Sequence, residues 1–204
     1  MSHPTIRKLA GAGAPQSLDP AKTALLVIDF QNEYFTGALP IPNGKAALEN
    51  ARRLIAHADE AGMPVYHIQH VLPAGMPIFA EDSATSDFHP DAQPGPKHKR
   101  IAKQQISAFP GTDLDRELKA AGIETVLVTG LMTHACVAGA ARDAVPLGYQ
   151  VVVAADACAT RALDTADGDQ VGHDQLHRAA LASIDDVFGA VMPTEAILAV
   201  PLRA

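Results

Sequence analysis

The sequence predicts a doubly wound parallel α/β domain. Apolar runs within 23–29, 64–70, 126–128, 149–155 and 187–191 read as strands, several of them apolar at successive positions as in strands buried on both faces. Segments of helical periodicity separate them, and this alternation favours parallel pairing. The 204 residues suit one domain with a sizeable core.

Composition narrows the function classes. Apolar residues make up 48% and charged residues 19%, and the net charge of −7 argues against nucleic acid as a partner. No apolar run has the length of a membrane span. The first 20 residues are expected to form an extended arm ahead of a domain at 21–204, and they lack the apolar core of a secretory signal. Two cysteines, Cys136 and Cys158, fit a reducing cytoplasm better than a disulfide framework.

Taken in order, Thr23 to Asp29 is the first strand, and it ends in a carboxylate. Open parallel sheets place ligands beyond the carboxyl ends of their strands, so Asp29 is a candidate catalytic group. A loop with Gly37, Pro40 and Pro42 follows. Asn43 can cap a helix to about Ala61 whose apolar face is Ala47, Leu48, Ala51, Leu54, Ile55 and Ala58, with Gly62 as its stop. Pro64 to His70 alternates as a second strand. Residues 71–98, rich in Pro, Gly, Asp and Ser, are expected to run over the mouth of the site as a lid. Lys99 to Lys103 is a short strand, and Thr112 caps a helix to about Ala121. Later elements are a strand over 149–155, a loop with Asp167 and Gly168, a helix over 169–183, a strand over 187–191 and a last helix over 193–200.

Residues 123–140 carry the chemistry. Val126, Leu127 and Val128 are a buried strand, Gly130 breaks it, and Thr133 is expected to cap a helix through Ala135 to Ala141. Cys136 would then lie in a first helical turn, where free N–H groups and the helix dipole lower a thiol pKa. An ordinary buried thiol competes with that assignment.

Three pieces line up in order: Ile28-Asp29-Phe30-Gln31, the run Lys103-Gln104-Gln105-Ile106-Ser107-Ala108-Phe109, and Thr129-Gly130-Leu131-Met132-Thr133-His134-Ala135-Cys136-Val137. Together they resemble the isochorismatase-like cysteine hydrolase superfamily, which includes nicotinamidases and N-carbamoylsarcosine amidohydrolase. The resemblance covers roughly residues 20–200. It implies a three-layer α/β/α domain around a six-stranded parallel sheet, and a catalytic trio of Cys136, Asp29 and Lys103. It also implies a cis peptide at Leu131–Met132 and an oxyanion hole from the N–H groups of Met132 and Cys136. The expected activity is cleavage of a C–N bond in a small amide or ureido compound through a thioester. Vinyl-ether hydrolysis and a catalytically silent binding protein are the alternatives. Members are usually homodimers or larger assemblies, so a homo-oligomer is expected.

Nicotinamidases carry Asp-x-His after the second strand, where this chain has His70-Val71-Leu72, so no metal site is expected. No bound cofactor is expected either. His67 and His70 face opposite sides of a strand; His67 is expected to be buried and hydrogen-bonded, and His70 to sit near the pocket mouth. Substrate contacts are expected from Phe35, Leu39, Phe79, His134 and Gln31, and Gln31 also resembles the family position that steadies the loop after Asp29. Arg161 suits an acidic substrate group or a salt bridge, and Cys158 a structural role. His173 and His177 share a helix face that is expected to be solvated.

Overall fold

The structure is a computed structural model and describes residues 2–203. Its strands are Thr23–Ile28 (β1), Val65–His70 (β2), Lys99–Lys103 (β3), Thr125–Leu131 (β4), Gln150–Ala159 (β5), Leu163–Asp164 (β6), Gln170–Val171 (β7) and Ala190–Met192 (β8). Its helices are Ile6–Leu9 (α1), Gly44–Ala61 (α2), Leu114–Ala120 (α3), Ala138–Ala144 (α4), His173–Val187 (α5) and Thr194–Leu198 (α6). Six strands form one sheet in the order β3-β2-β1-β4-β5-β8, every neighbour parallel.

Alternate residues of the central strands point to opposite faces, and both faces are covered. Leu26, Ile28, Val126 and Val128 pack with Leu114, Leu118, Ala141 and Ile184 of α3, α4 and α5. Leu25, Val27 and Leu127 pack with Ala47, Ala51, Leu54 and Ile197 of α2 and α6. This explains the unbroken apolar runs: a strand covered twice has no solvent face to make polar. The helix α2 behaves as its periodicity predicts. Gly62 ends it in the left-handed region (φ 73°), where its missing Cβ avoids a steric cost. Asn43 does not cap it through its side chain, which instead donates to Asp174.

The chain runs outward from β1 through β2 to β3, then returns so that β4 lies beside β1. Strand order reverses between β1 and β4, and the crevice at such a reversal is where α/β sheets hold ligands. Contact there is close. Gly130 (φ 147°) pairs with Ile28, and a Cβ on Gly130 would lie 2.3 Å from the Ile28 carbonyl oxygen. Beyond this point β5 bulges: from Val153 to Cys158 it advances five residues while β4 advances two, from Val128 to Gly130.

Several expectations change. The N-terminal arm contains a helical turn, α1, with Thr5 Oγ1 accepting from the Lys8 amide. The expected loop after β5 contains an antiparallel ribbon, β6–β7. The helix expected over 169–183 begins at His173 and runs to Val187, which shortens the last strand to Ala190–Met192. Residues 71–98, expected as a lid, are tied down along their length. Leu72 pairs with Ala80 and Phe88 with Gln31. The buried Glu33 carboxylate accepts from the amides of Ala38 (2.6 Å) and Phe79 (3.4 Å) and from Thr85 Oγ1 (2.6 Å). At the far end, His98 Nδ1 takes the Gly95 amide at 2.9 Å and lies 3.1 Å from His67 Nε2, while His98 Nε2 meets Asp59 at 2.9 Å. Most of these side-chain partners are distant in sequence, which is why local composition reads only as loop. No helix among the described residues is long and apolar enough to cross a membrane.

Candidate active site

Three strand ends deliver the central groups. Asp29 follows β1 with φ 52°, a left-handed conformation that Asp tolerates better than most residues. Lys103 ends β3, and Cys136 follows β4. The Lys103 ammonium lies 2.8 Å from Asp29 Oδ2 and 3.4 Å from Cys136 Sγ. It also donates to His70 Nδ1 (2.8 Å) and to the Gln105 carbonyl (3.2 Å). Exposure is 0% for Asp29 and 2% for both Lys103 and Cys136. Asp29 Oδ1 has no hydrogen-bond partner among the described residues and is free to receive a proton.

Cys136 reaches this position by a different local structure from the one expected. Residues Thr133–Val137 form one π-helical turn that leads into α4. The Val137 amide reaches back to the Met132 carbonyl at 3.3 Å. Thr133 is not the cap: its hydroxyl bonds to His177 Nδ1 at 2.8 Å. The wider turn carries an extra residue, as π-bulges at functional sites do. The peptide Leu131–Met132 is cis.

Electrostatics correct a second expectation. The Cys136 thiol is pushed up, not down: burial disfavours the thiolate, the Asp29 charge adds to that, and Lys103 opposes it only in part. Charge counting gives the same answer. A buried ammonium and carboxylate already balance, and a thiolate beside them would leave a net negative charge out of water. Lys103 itself is held above its ordinary value. Burial works against its charge, but Asp29 and Cys136 outweigh it. Among the described residues, Asp29, His70 and Cys136 are one group of ligand-type side chains within 4.8 Å of one another. The Lys103 ammonium contacts all three, so the chain supplies its own cation there.

The other expected contacts divide. Phe79 is buried with φ 53°, and its ring lies 5.0 Å from that of His70 and 5.3 Å from that of Tyr34. His134 is half-buried, bonds to Thr160 Oγ1 at 2.5 Å through Nδ1, and is held toward its neutral form by burial and by Arg161. Met132 is half-buried at the start of the π turn. Phe35 and Leu39 pack against the α2-side core, and Phe35 faces the His89 ring at 4.4 Å, so packing accounts for both. Gln31 is not available to substrate. Its Nε2 donates to the carbonyls of His70 (2.7 Å) and Ser86 (2.6 Å), and its Oε1 takes the His70 amide (2.8 Å). His177 is half-buried against Thr133, so its helix face is not simply solvated.

Two further side chains sit against the trio, His70 displaced from its expected place and Tyr34 without a sequence expectation. His70 is buried at the centre rather than at the mouth. Tyr34 is buried, and its hydroxyl is pushed well up by burial and by Cys136 and Asp29 nearby. Its signal was its place on the turn directly after Asp29.

The Isochorismatase domain model matches residues 23–196. The chain belongs to the isochorismatase family. Within this family of hydrolases it is 36% identical over 178 residues to an uncharacterized isochorismatase family protein of Bacillus subtilis, covering 86% of this chain and 98% of that one. It is 31% identical to a ureidoacrylate amidohydrolase of Methylobacterium radiotolerans, covering 93% and 84%. A crystal structure of an isochorismatase from Pseudomonas putida KT2440 superposes with a TM-score of 0.88 at 30% identity, covering 96% and 99%.

Proposed function

We propose that this isochorismatase-family member is a cysteine amidohydrolase that cleaves a C–N bond in a small amide or ureido compound bearing an acidic group. The observation that carries the proposal is the buried contact of Lys103 with both Asp29 and Cys136, at 2.8 and 3.4 Å. A relative named for amidohydrolysis supports it.

In the resting site the thiol keeps its proton. Asp29 takes that proton as Sγ attacks the substrate carbonyl carbon, so the buried charge stays balanced by Lys103 throughout. The amides of Met132 and Cys136 receive the developing oxyanion. Protonated Asp29 then gives its proton to the leaving nitrogen as the C–N bond breaks, leaving a thioester on Cys136. Ionised Asp29 next takes a proton from water, whose oxygen attacks the thioester carbonyl. The carboxylic or carbamic product leaves, and the proton returns to sulfur. A general base positioned in this way contributes roughly 10²–10⁴ in rate.

Arg161 supports the acidic substrate group. Its Nε is buried without a hydrogen-bond partner among the described residues, and its one described bond runs from Nη1 to the Ala162 carbonyl. Its charge acts on both Tyr34 and His134. A guanidinium with an unused donor suits a substrate carboxylate. Both cysteines are free, in keeping with a cytoplasmic location.

Ammonia or amine release from a panel of carboxylated amides and ureas tests the proposal. Turnover is expected for at least one acidic member, and Arg161→Met should raise its KM by about tenfold or more. Consumption of a vinyl ether with no amide or urea cleaved would overturn it.

A further inference from the structure

We infer that His70 is a positioning residue for Lys103: its neutral ring accepts from the ammonium and holds it against Asp29 and Cys136, and protonation of His70 disables the site. The inference rests on the role just given to Lys103.

An ammonium has three N–H donors. Four acceptors surround Lys103 Nζ: His70 Nδ1 (2.8 Å), Asp29 Oδ2 (2.8 Å), the Gln105 carbonyl (3.2 Å) and Cys136 Sγ (3.4 Å). His70 and Asp29 are the close pair, so together they fix the head group of a long side chain that could otherwise turn about its terminal bonds. His70 can do this only with a lone pair on Nδ1, that is, as the neutral ring protonated on Nε2.

The protein holds His70 in that place from both sides. Gln31 clamps its backbone, accepting from the amide at 2.8 Å and donating to the carbonyl at 2.7 Å. The Phe79 ring packs against the imidazole, and the buried Glu33 carboxylate holds the Phe79 amide. The charged or titratable groups facing the imidazole are Lys103 from β3, Asp29 from the end of β1 and Cys136 from the π turn. Tyr34 and Glu33 contact Phe79 behind it. Burial and the Lys103 charge push His70 toward its neutral form, with Asp29 in opposition. A proton on Nδ1 would remove the acceptor and set two cations 2.8 Å apart. The ammonium would then have to leave Asp29 and Cys136.

The test uses the full-length protein with Cys158→Ala, so that only Cys136 can be alkylated, and needs no substrate. The iodoacetamide rate at Cys136 is followed from acid to neutral pH. His70→Asn places an amide oxygen near the position of Nδ1 and cannot titrate. It is expected to react within about threefold of the parent at neutral pH, and to keep its reactivity to a pH about one unit lower. His70→Leu should react about tenfold more slowly at neutral pH. Coincident pH profiles for the parent and His70→Asn would overturn the inference, even if His70→Leu does not fold. Lys103→Met separates the two claims: if it reacts like the parent, the role of Lys103 itself fails. If it is slow while the pH profile of His70→Asn coincides with that of the parent, only the role of His70 fails.

Discussion

Cys136 and Cys158 stand at the carboxyl ends of adjacent strands, 2% and 4% exposed, yet only one has the surroundings of a nucleophile. Burial pushes both thiols up, Cys158 to about 12. Cys158 pairs across the sheet with Gly130, whose backbone N–H bonds its sulfur without offsetting its burial. Cys136 has Lys103 at 3.4 Å and Asp29 within 4.8 Å. Place in the fold does not separate them, and neither does a lowered thiol pKa. The difference is a neighbouring base that can take the proton and a cation that keeps the exchange neutral.

The comparison breaks first at the sulfur. Cys136→Ala should lose at least about three orders of magnitude in kcat/KM, while Cys158→Ala should stay within about threefold. Comparable losses in both would remove the distinction. Next come the neighbours: Asp29→Asn and Lys103→Met should each cost about two to three orders of magnitude in kcat with Cys136 in place. On the stability side, Cys158→Ala should destabilise by about 1 kcal/mol, as a small buried apolar group would, measured by denaturant unfolding.

The two faces of β2 sharpen the contrast at lower cost. His70 faces Lys103, whereas His67 faces His98 and Phe88. Burial, helped by His98, pushes His67 down to about 4. The unfolded chain, with an ordinary value of about 6.5, therefore binds more protons between those values. Stability from His67 is full above about pH 6.5 and is lost as pH falls toward 4, about 2 kcal/mol of it between about pH 7 and 5. Thermal melts of His67→Leu across that range should show a shallower slope, with little change in activity at neutral pH.

Much of this was legible in sequence. The β1 and β4 runs and the Asn43–Gly62 bounds of α2 rest on patterns of a few residues in which burial and turn chemistry leave a direct trace. Asp29 and Cys136 stand out at strand ends, whereas Lys103 joins them only through the resemblance of three short motifs taken in order. The π turn did not, because Thr133 suits a cap equally well and its hydroxyl is taken by His177, 44 residues away. His70 and Gln31 were placed in the pocket, but their roles depend on contacts across 33 and 39 residues. The order within 71–98 comes from Glu33 and His67, which lie outside it.

Gly130 has one more consequence. The main chains of β1 and β4 touch where its side chain is missing, one residue before Asp29 and six before Cys136. The span between proton acceptor and nucleophile is therefore gauged by peptide against peptide. Any side chain at Gly130 would force the two strand ends apart, and the carboxylate and the thiol with them.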